Sequence, residues 1–328
     1  MNLNFKPMLS VVAVSVALSA CTMIPKYAQP QVNVPETFKY DESPETGIQA
    51  ASLGWQDYFA DPRLHNLIGM ALERNTDLRV AALNAEAVRK QYMIARNELL
   101  PSLGATGSGS RGRVAKDLSQ NQVSFVSSSY NVGLGVAAYE LDLFGKVRSN
   151  SEAALQSYFA TAASRDATHL SLISTVAKAY FNERFADESM NLAQNVLKTR
   201  EQTYKLARLK HKAGVISAVD LRQQEALIES AKADYAGAVK NREQARNALT
   251  VLISQPLPDN LPAGLPLSQQ LKSKRLPAGV SSEHLLNRPD MRATEYARRS
   301  ANGNMGAARA AFLPSISLTG SIGTGSNE

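Results

Sequence analysis

This chain of 328 residues has a single cysteine, a single tryptophan, no proline between Pro101 and Pro256, and neither glycine nor proline across residues 146–213. The lone Cys21 excludes an intrachain disulfide framework and any zinc cage built from several thiolates. After the first 20 residues no run approaches ~18 consecutive apolar positions, so with 20% charged residues a polytopic helical membrane protein is excluded. At 44% apolar residues, disorder is excluded as well. Length alone suggests about two domains. The formal charge of +7, from 36 Lys+Arg against 29 Asp+Glu, is mild. Lys198, Arg200, Lys205, Arg208, Lys210 and Lys212 are basic residues of one predicted helix, with Tyr204 the single aromatic among them where a nucleic-acid patch wants several interleaved; a helix C-terminus favours cations through its dipole. No nucleic-acid partner is expected.

Catalytic constellations are missing too. His65, His169, His211 and His284 have no ligand spacing, H-E-x-x-H does not occur, and no Gly-rich loop leads into Lys-Ser/Thr. Gly107-Ser108-Gly109 lacks both a preceding buried strand and a basic residue at the distance a phosphate loop needs. Asp187-Glu188 falls on a predicted exposed helical face and Glu140/Asp142 at a strand end, which suits solvated or structural roles. The sequence predicts no enzyme, no metal site and no cofactor.

The N-terminus reads as an export signal over residues 1–20: Lys6, then an apolar run from Met8 to Ala20 too short for a stable span. Leu18-Ser19-Ala20-Cys21 resembles the lipobox of bacterial lipoproteins. It predicts cleavage before Cys21, with a diacylglyceryl thioether and an amide-linked acyl chain on Cys21 as membrane anchor. Thr22 after it, in place of Asp, implies sorting to the outer membrane.

An internal repeat follows. Sliding the chain by 213 positions aligns Asp77 with Asp290, Arg79 with Arg292, Ala95-Arg96 with Ala308-Arg309, Leu100-Pro101-Ser102 with Leu313-Pro314-Ser315, and Thr106-Gly107-Ser108 with Thr319-Gly320-Ser321, without a gap. Helix-like composition before each Leu-Pro and Gly/Ser/Thr-rich sequence after it mark a duplicated helix-to-strand unit.

The stretch 146–213 without helix breakers predicts roughly 100 Å of helix at 1.5 Å per residue. Leu170, Ile173, Ala177 and Tyr180, then Ile228, Ala231, Tyr235, Ala238, Ala245, Leu249 and Leu252, recur at coiled-coil spacing. Between them Gly214 suits the left-handed position beyond a helix end. Ser217-Ala218-Val219-Asp220 is a capping box flanked by an Ile216/Leu221 staple. The pattern predicts a long antiparallel hairpin over 146–252 with an apolar tip. Upstream, Tyr130, Val132, Leu134 and Val136 alternate with Asn131, Gly133, Gly135 and Ala137, as in a tilted transmembrane barrel strand. A partner strand is expected over about 102–112, with Arg111, Arg113, Lys116, Asp117 and Gln120 in the polar loop. Pro256, Pro258, Pro262, Pro266 and Pro277 predict a linker over 256–283, outside any core.

Several segments together resemble the outer-membrane factors of tripartite efflux pumps, the TolC-like proteins, and within them the OprM-type lipoproteins. They are Trp55 to Leu64 (WQDYFADPRL), Asn75-Thr76-Asp77-Leu78-Arg79, Leu100-Pro101, and above all Tyr139 to Arg148 (YELDLFGKVR), similar to the family's strand-to-helix junction. The resemblance implies a mainly α fold with transmembrane β: a homotrimer whose subunits each give four strands to a shared twelve-stranded outer-membrane barrel, continued into the periplasm by an α-helical barrel. It implies a lipidated equatorial segment over 21–64, a first repeat over 65–255 containing two strands within about 102–142, and a second beginning at 284–328. Glu140, Asp142, Phe144 and Gly145 mark the strand–helix junction. Arg208-Leu209 to Ser217 and Asp220 resemble the periplasmic tip, so Gly214, Val215, Ile216 and Ser217 are expected to contact a periplasmic adaptor, with Asp220 as their cap.

The implied function is the exit duct of a tripartite drug-efflux pump, a passive conduit across periplasm and outer membrane, opened by the adaptor and working with an inner-membrane resistance-nodulation-division transporter. The duct of a metal-ion or protein-secretion system is the alternative within this class, and a structural coiled-coil lipoprotein the alternative outside it. Measured against the repeat, a second copy would extend roughly 137 residues beyond Glu328. The chain is therefore expected to lack the fourth strand, the second helical pair and the gate, and not to close a barrel by itself.

Overall fold

The computed structural model describes residues 22–28, 54–119, 122–272 and 287–327, which fall into two compact units. The first holds residues 22–28, 84–119, 122–162 and 292–327, and the second 54–83, 163–272 and 287–291. The export signal, Cys21 and Gln120 lie outside the described residues. No helix among those residues is long and apolar enough to cross a membrane.

In the second unit, α1 (Trp55–Tyr58) leads into α2 (Pro62–Arg74), started by Asp61, whose carboxylate accepts from Arg63 N at 2.9 Å, with Pro62 in the first turn where no N–H is needed. Asn75 ends α2 and starts α3 (Thr76–Asn97): its Oδ1 accepts from Asp77 N and Leu78 N, and its Nδ2 donates to Leu252 O at 3.0 Å. The long helix is continuous, α4 spanning Lys146–Lys212, and α5 runs Ala218–Ile253. Leu64, Leu67, Ile68 and Ala71 of α2, Ile173, Val176, Ala177 and Tyr180 of α4, and Leu249 and Ile253 of α5 share one buried core. Each fully buried Leu or Ile there contributes about 1.5–3 kcal/mol.

Along the expected seam, Ile228, Ala231, Ala245 and Leu249 are buried and Tyr235, Ala238 and Leu252 half-buried. Leu170 departs from it, being 55% exposed at the wall of an open apolar hollow of about 640 Å³ with Trp55, Tyr58, Ile173 and Phe181. Asp187 departs in the other direction. It is half-buried and joins the long helices, accepting from Arg242 Nε at 2.9 Å and from Arg184 at 3.4 Å. Nor is the Pro-rich stretch a free connector over its described part. Leu257 and Leu261 pack on the core, Gln270 is buried, and residues 270–272 pair with the backbone of 58–60 through Ala60 N to Gln270 O and Lys272 N to Tyr58 O.

The first unit is built on an antiparallel sheet of order β1-β2-β3, with β1 Leu103–Val114, β2 Phe125–Glu140 and β3 Ser317–Asn327. Leu134 lies between Ala105 and Ile322, and Val136 between Leu103 and Gly320. One face thus gathers Leu103, Ala105, Tyr130, Val132, Leu134, Val136 and Ile322, while the other gathers Thr106, Ser108, Asn131, Gly133, Gly135, Ser321 and Gly323. Leu103, Val132, Leu134 and Ile322 are all exposed. A bulge between Val136 and Tyr139 shifts the phase, so Tyr139 joins Leu318 on the apolar side. Tyr130 and Tyr139 therefore bracket the apolar band. Arg111 and Arg113, expected in the loop, are strand residues opposite Ser128 and Val126 on that same side. The β-pairing continues past them because Val126 and Phe125 extend β2 beyond its expected start.

The repeat recurs in three dimensions. Helix α6 spans Pro289–Ala310, offset from α3 by the repeat length at both ends, and each helix leads through Leu-Pro-Ser into a strand. Residues 22–28 lie along α6: Asn302 Nδ2 donates to Pro25 O at 2.9 Å, and Arg298 and Arg299 sit 5.2 and 5.3 Å from the Tyr27 ring centre. Ile24 fills the space at Gly306, where an added Cβ would come within 2.9 Å of the Ile24 backbone.

Candidate functional site

Two constellations follow from how α4 begins and ends. At its end, Gly214 N–H bonds to His211 O at 3.0 Å and Val215 N–H to Lys210 O at 2.9 Å, the paired bonds of a Schellman turn. Gly214 holds φ +72, where a Cβ is unfavourable. Three residues on, Asp220 N donates to Ser217 Oγ at 3.1 Å while the Asp220 carboxylate accepts from Ser217 N, at 3.1 Å, and from Ser217 Oγ, at 2.8 Å. Donation from the Ser217 hydroxyl and backbone N–H holds the Asp220 carboxyl below the usual carboxylate range. His211 was not a sequence-level candidate, yet its Nδ1 lies 3.1 Å from Ile216 O and closes the turn from inside. Its position five residues before the carbonyl, across a glycine reversal, gave no local signal.

The polar bonds are thus spent within the turn, and what remains outward is apolar and basic. Leu209, Val215 and Val219 are each more than 60% exposed, beside exposed Arg208, Lys210 and Lys212, whereas Ile216 is half-buried. Such a surface can dock a protein partner.

At the start of α4, Asp142 accepts from Val147 N, Arg148 N and Arg148 Nε at 3.0, 3.0 and 2.9 Å. Partial burial opposes its charge, but these donors outweigh the burial and hold its carboxyl below the ordinary value. Glu140 pairs with Lys146 at 3.2 Å. Gly145 turns the chain with φ +75, and its carbonyl accepts from Ser149 N and Ser149 Oγ. Phe144 is half-buried beside a small cavity of about 90 Å³ that also meets Leu313 and Pro314. Leu141 N–H reaches Ile316 O at 2.8 Å and Tyr139 Oη reaches Leu99 O at 3.0 Å. All three helix–strand transitions are stitched together in this way.

A third cluster escaped the sequence reading. Asp61, fully buried, accepts from Tyr180 Oη (2.6 Å), Leu265 N (2.8 Å), Gln270 Nε2 (3.0 Å) and Arg63 N (2.9 Å). Its donors from Tyr180, Leu265 and Gln270 come from segments distant in sequence and leave no local signal. Among the described residues no three His, Cys, Asp or Glu gather as a metal-binding group.

Comparison with known proteins bears on this arrangement. The family model for "Outer membrane efflux protein" matches residues 67–255 and 280–328. The toluene efflux pump outer membrane protein TtgC of Pseudomonas putida is 41% identical over 323 residues, covering 97% of this chain and 66% of the relative. Outer membrane protein OprJ of Pseudomonas aeruginosa is 38% identical, covering 98% of this chain and 68% of its own. Among solved structures, the open state of the Neisseria gonorrhoeae MtrE outer membrane channel superposes with a TM-score of 0.83 at 63% identity, over 93% of this chain and 67% of that one. The chain therefore spans about two thirds of the length of the proteins it matches.

Proposed function

Because the chain belongs to the outer membrane efflux protein family, we propose that it is the duct-forming subunit of a tripartite efflux system, residing in the outer membrane as a homotrimer and extending into the periplasm. In this reading it performs no chemistry and binds no cofactor. The observation that carries the proposal is the sheet of the first unit, large and apolar on one face and small and polar on the other, handed directly to a 67-residue helix through the Asp142–Gly145 turn. Unpaired edges on β1 and β3 cannot persist in lipid, so closure must come from further strands and other copies.

The tip supports the second half of the reading. Gly214, Val215, Ile216 and Ser217 form a turn held by its own hydrogen bonds and capped by Asp220, beside exposed Leu209 and Val219, which suits docking of a periplasmic adaptor's helical hairpin. An inner-membrane resistance-nodulation-division transporter then loads the duct, and the acylated Cys21 adds a lipid anchor. Single-channel recording of the complete protein in planar bilayers tests this: a discrete, large aqueous conductance is expected, and its absence from a folded, membrane-inserted trimer refutes the duct.

A further inference from the structure

On the apolar face of the sheet, charge occurs in one place. Arg111 and Arg113 follow Gly109 at alternate positions of β1, opposite Ser128 and Val126. The Tyr130 ring lies over Gly109 on that face, where an added Cβ would stand 3.1 Å from it. Both arginines are exposed and neither forms an ion pair among the described residues. The opposite face at the same level carries Ser110, Gly112, Ser127 and Ser129, none of them charged. Arginines serving only solubility or ion passage would sit on that small, polar side.

Position narrows the ligand. A lipid-facing arginine is costly at the bilayer midplane, by about 2–4 kcal/mol, but nearly free at the interface. Tyr130 marks that interface, as aromatic belts do, and the arginines lie roughly 7 and 14 Å beyond it along the strand at ~3.4 Å per residue. The other end of the sheet runs into α4 and α6, so the arginine end is the one away from the helices. In the barrel reading proposed above, on which this inference rests, that end meets the outer leaflet.

We propose that Arg111 and Arg113 form a binding site for the phosphate groups of lipid A, the phosphorylated glycolipid of the outer leaflet. Guanidinium groups bind phosphate oxygens in bidentate fashion, and two residues spaced along one outward face reach neighbouring headgroups. Lys116, exposed in the turn that follows, adds to the same positive end.

The test uses trimers of the complete protein extracted from outer membranes, with lipid A retained after detergent exchange counted by native mass spectrometry. Wild type is expected to retain lipid A, and each of Arg111→Gln and Arg113→Gln to weaken binding by about tenfold. Wild-type trimers are also titrated with dephosphorylated lipid A, phosphatidylglycerol vesicles and inorganic phosphate. Weak binding of all three supports the assignment. Retention unchanged in the double variant, equal affinity for dephosphorylated lipid A, equal affinity for phosphatidylglycerol, or displacement by inorganic phosphate overturns it. The wild-type titrations decide the matter even where a variant fails to fold. Wild type that yields no heat-resistant outer-membrane trimer overturns the barrel reading, and this site with it.

Discussion

The Tyr180 hydroxyl donates to the buried Asp61 carboxylate at 2.6 Å, joining the middle of the longest helix to the cap of α2, residues 119 apart in sequence. Two further donors reach the same oxygen from Leu265 and Gln270, so one carboxylate ties the N-terminal helices, α4 and the Pro-rich stretch together. Tyr180→Phe is expected to cost about 1.5–3 kcal/mol, the range for hydrogen bonds to charged groups. Thermal unfolding of the complete protein measures it.

Burial opposes charge on Asp61, but its four donors, Tyr180 foremost, outweigh it and lower the pKa. A carboxyl depressed in the folded state contributes stability above its unfolded pKa, about 3.9, which is lost as pH falls through the folded value. Melting temperature should therefore decline on acidification below about pH 4, and Asp61→Asn should flatten that decline while lowering stability at neutral pH. An unchanged acid limb in Asp61→Asn would assign the decline to other carboxylates.

Gly264 lies against Tyr180 Oη and the Arg184 side chain. Gly264→Ala is expected to destabilise by about 1–3 kcal/mol through overpacking. Chemical denaturation of variant and parent decides it.

This hub and its setting lay beyond the reach of sequence reading for a physical reason. Gly214, Ser217 and Asp220 announce a helix reversal because caps and left-handed turns are satisfied within a few residues. Donors to Asp61 from Tyr180, Leu265 and Gln270 are set by packing of distant segments, which local pattern does not encode. Proline spacing marks 256–283 as a linker outside any core, but it does not encode the docking of Leu257 and Leu261 on the core or the burial of Gln270. Leu170 fits the helical period yet opens on a hollow, since periodicity identifies a face and not what covers it. Arg111 and Arg113 looked like loop residues because charge is a poor guide to where a β-ladder ends.

At the tip, an added Cβ on Gly214 meets nothing within 4 Å, so Gly214→Ala should cost only its backbone conformation, about 1–2 kcal/mol. Gly214→Glu in the complete protein should leave the proposed trimer assembled while impairing export, because a charge is carried into the proposed adaptor contact. Drug susceptibility read beside trimer yield separates the two effects, and unchanged resistance would count against the contact.

At the junction, Asp142→Ala removes the acceptor for two backbone N–H groups and the Arg148 side chain. A loss of about 1–2 kcal/mol is expected from the cap, seen as a lower melting temperature of the complete protein. Gly306→Val should expel Ile24 from α6, and faster hydrogen exchange over residues 22–28 would report it.

The register of the sheet carries a geometric consequence. Leu134 stands between Ala105 and Ile322, yet the repeat equates Ala105 with Leu318, so passing from β1 to its counterpart advances the pairing by four residues above the bulge. This is the shear that inclines strands to a cylinder axis and sets how they can close. Its parity matters as much as its size. Because side chains alternate, an even advance returns every repeat with the same residues outward, whereas an odd one would turn a lipid-facing row inward at each seam. However many such units meet around the ring, inside and outside stay consistent.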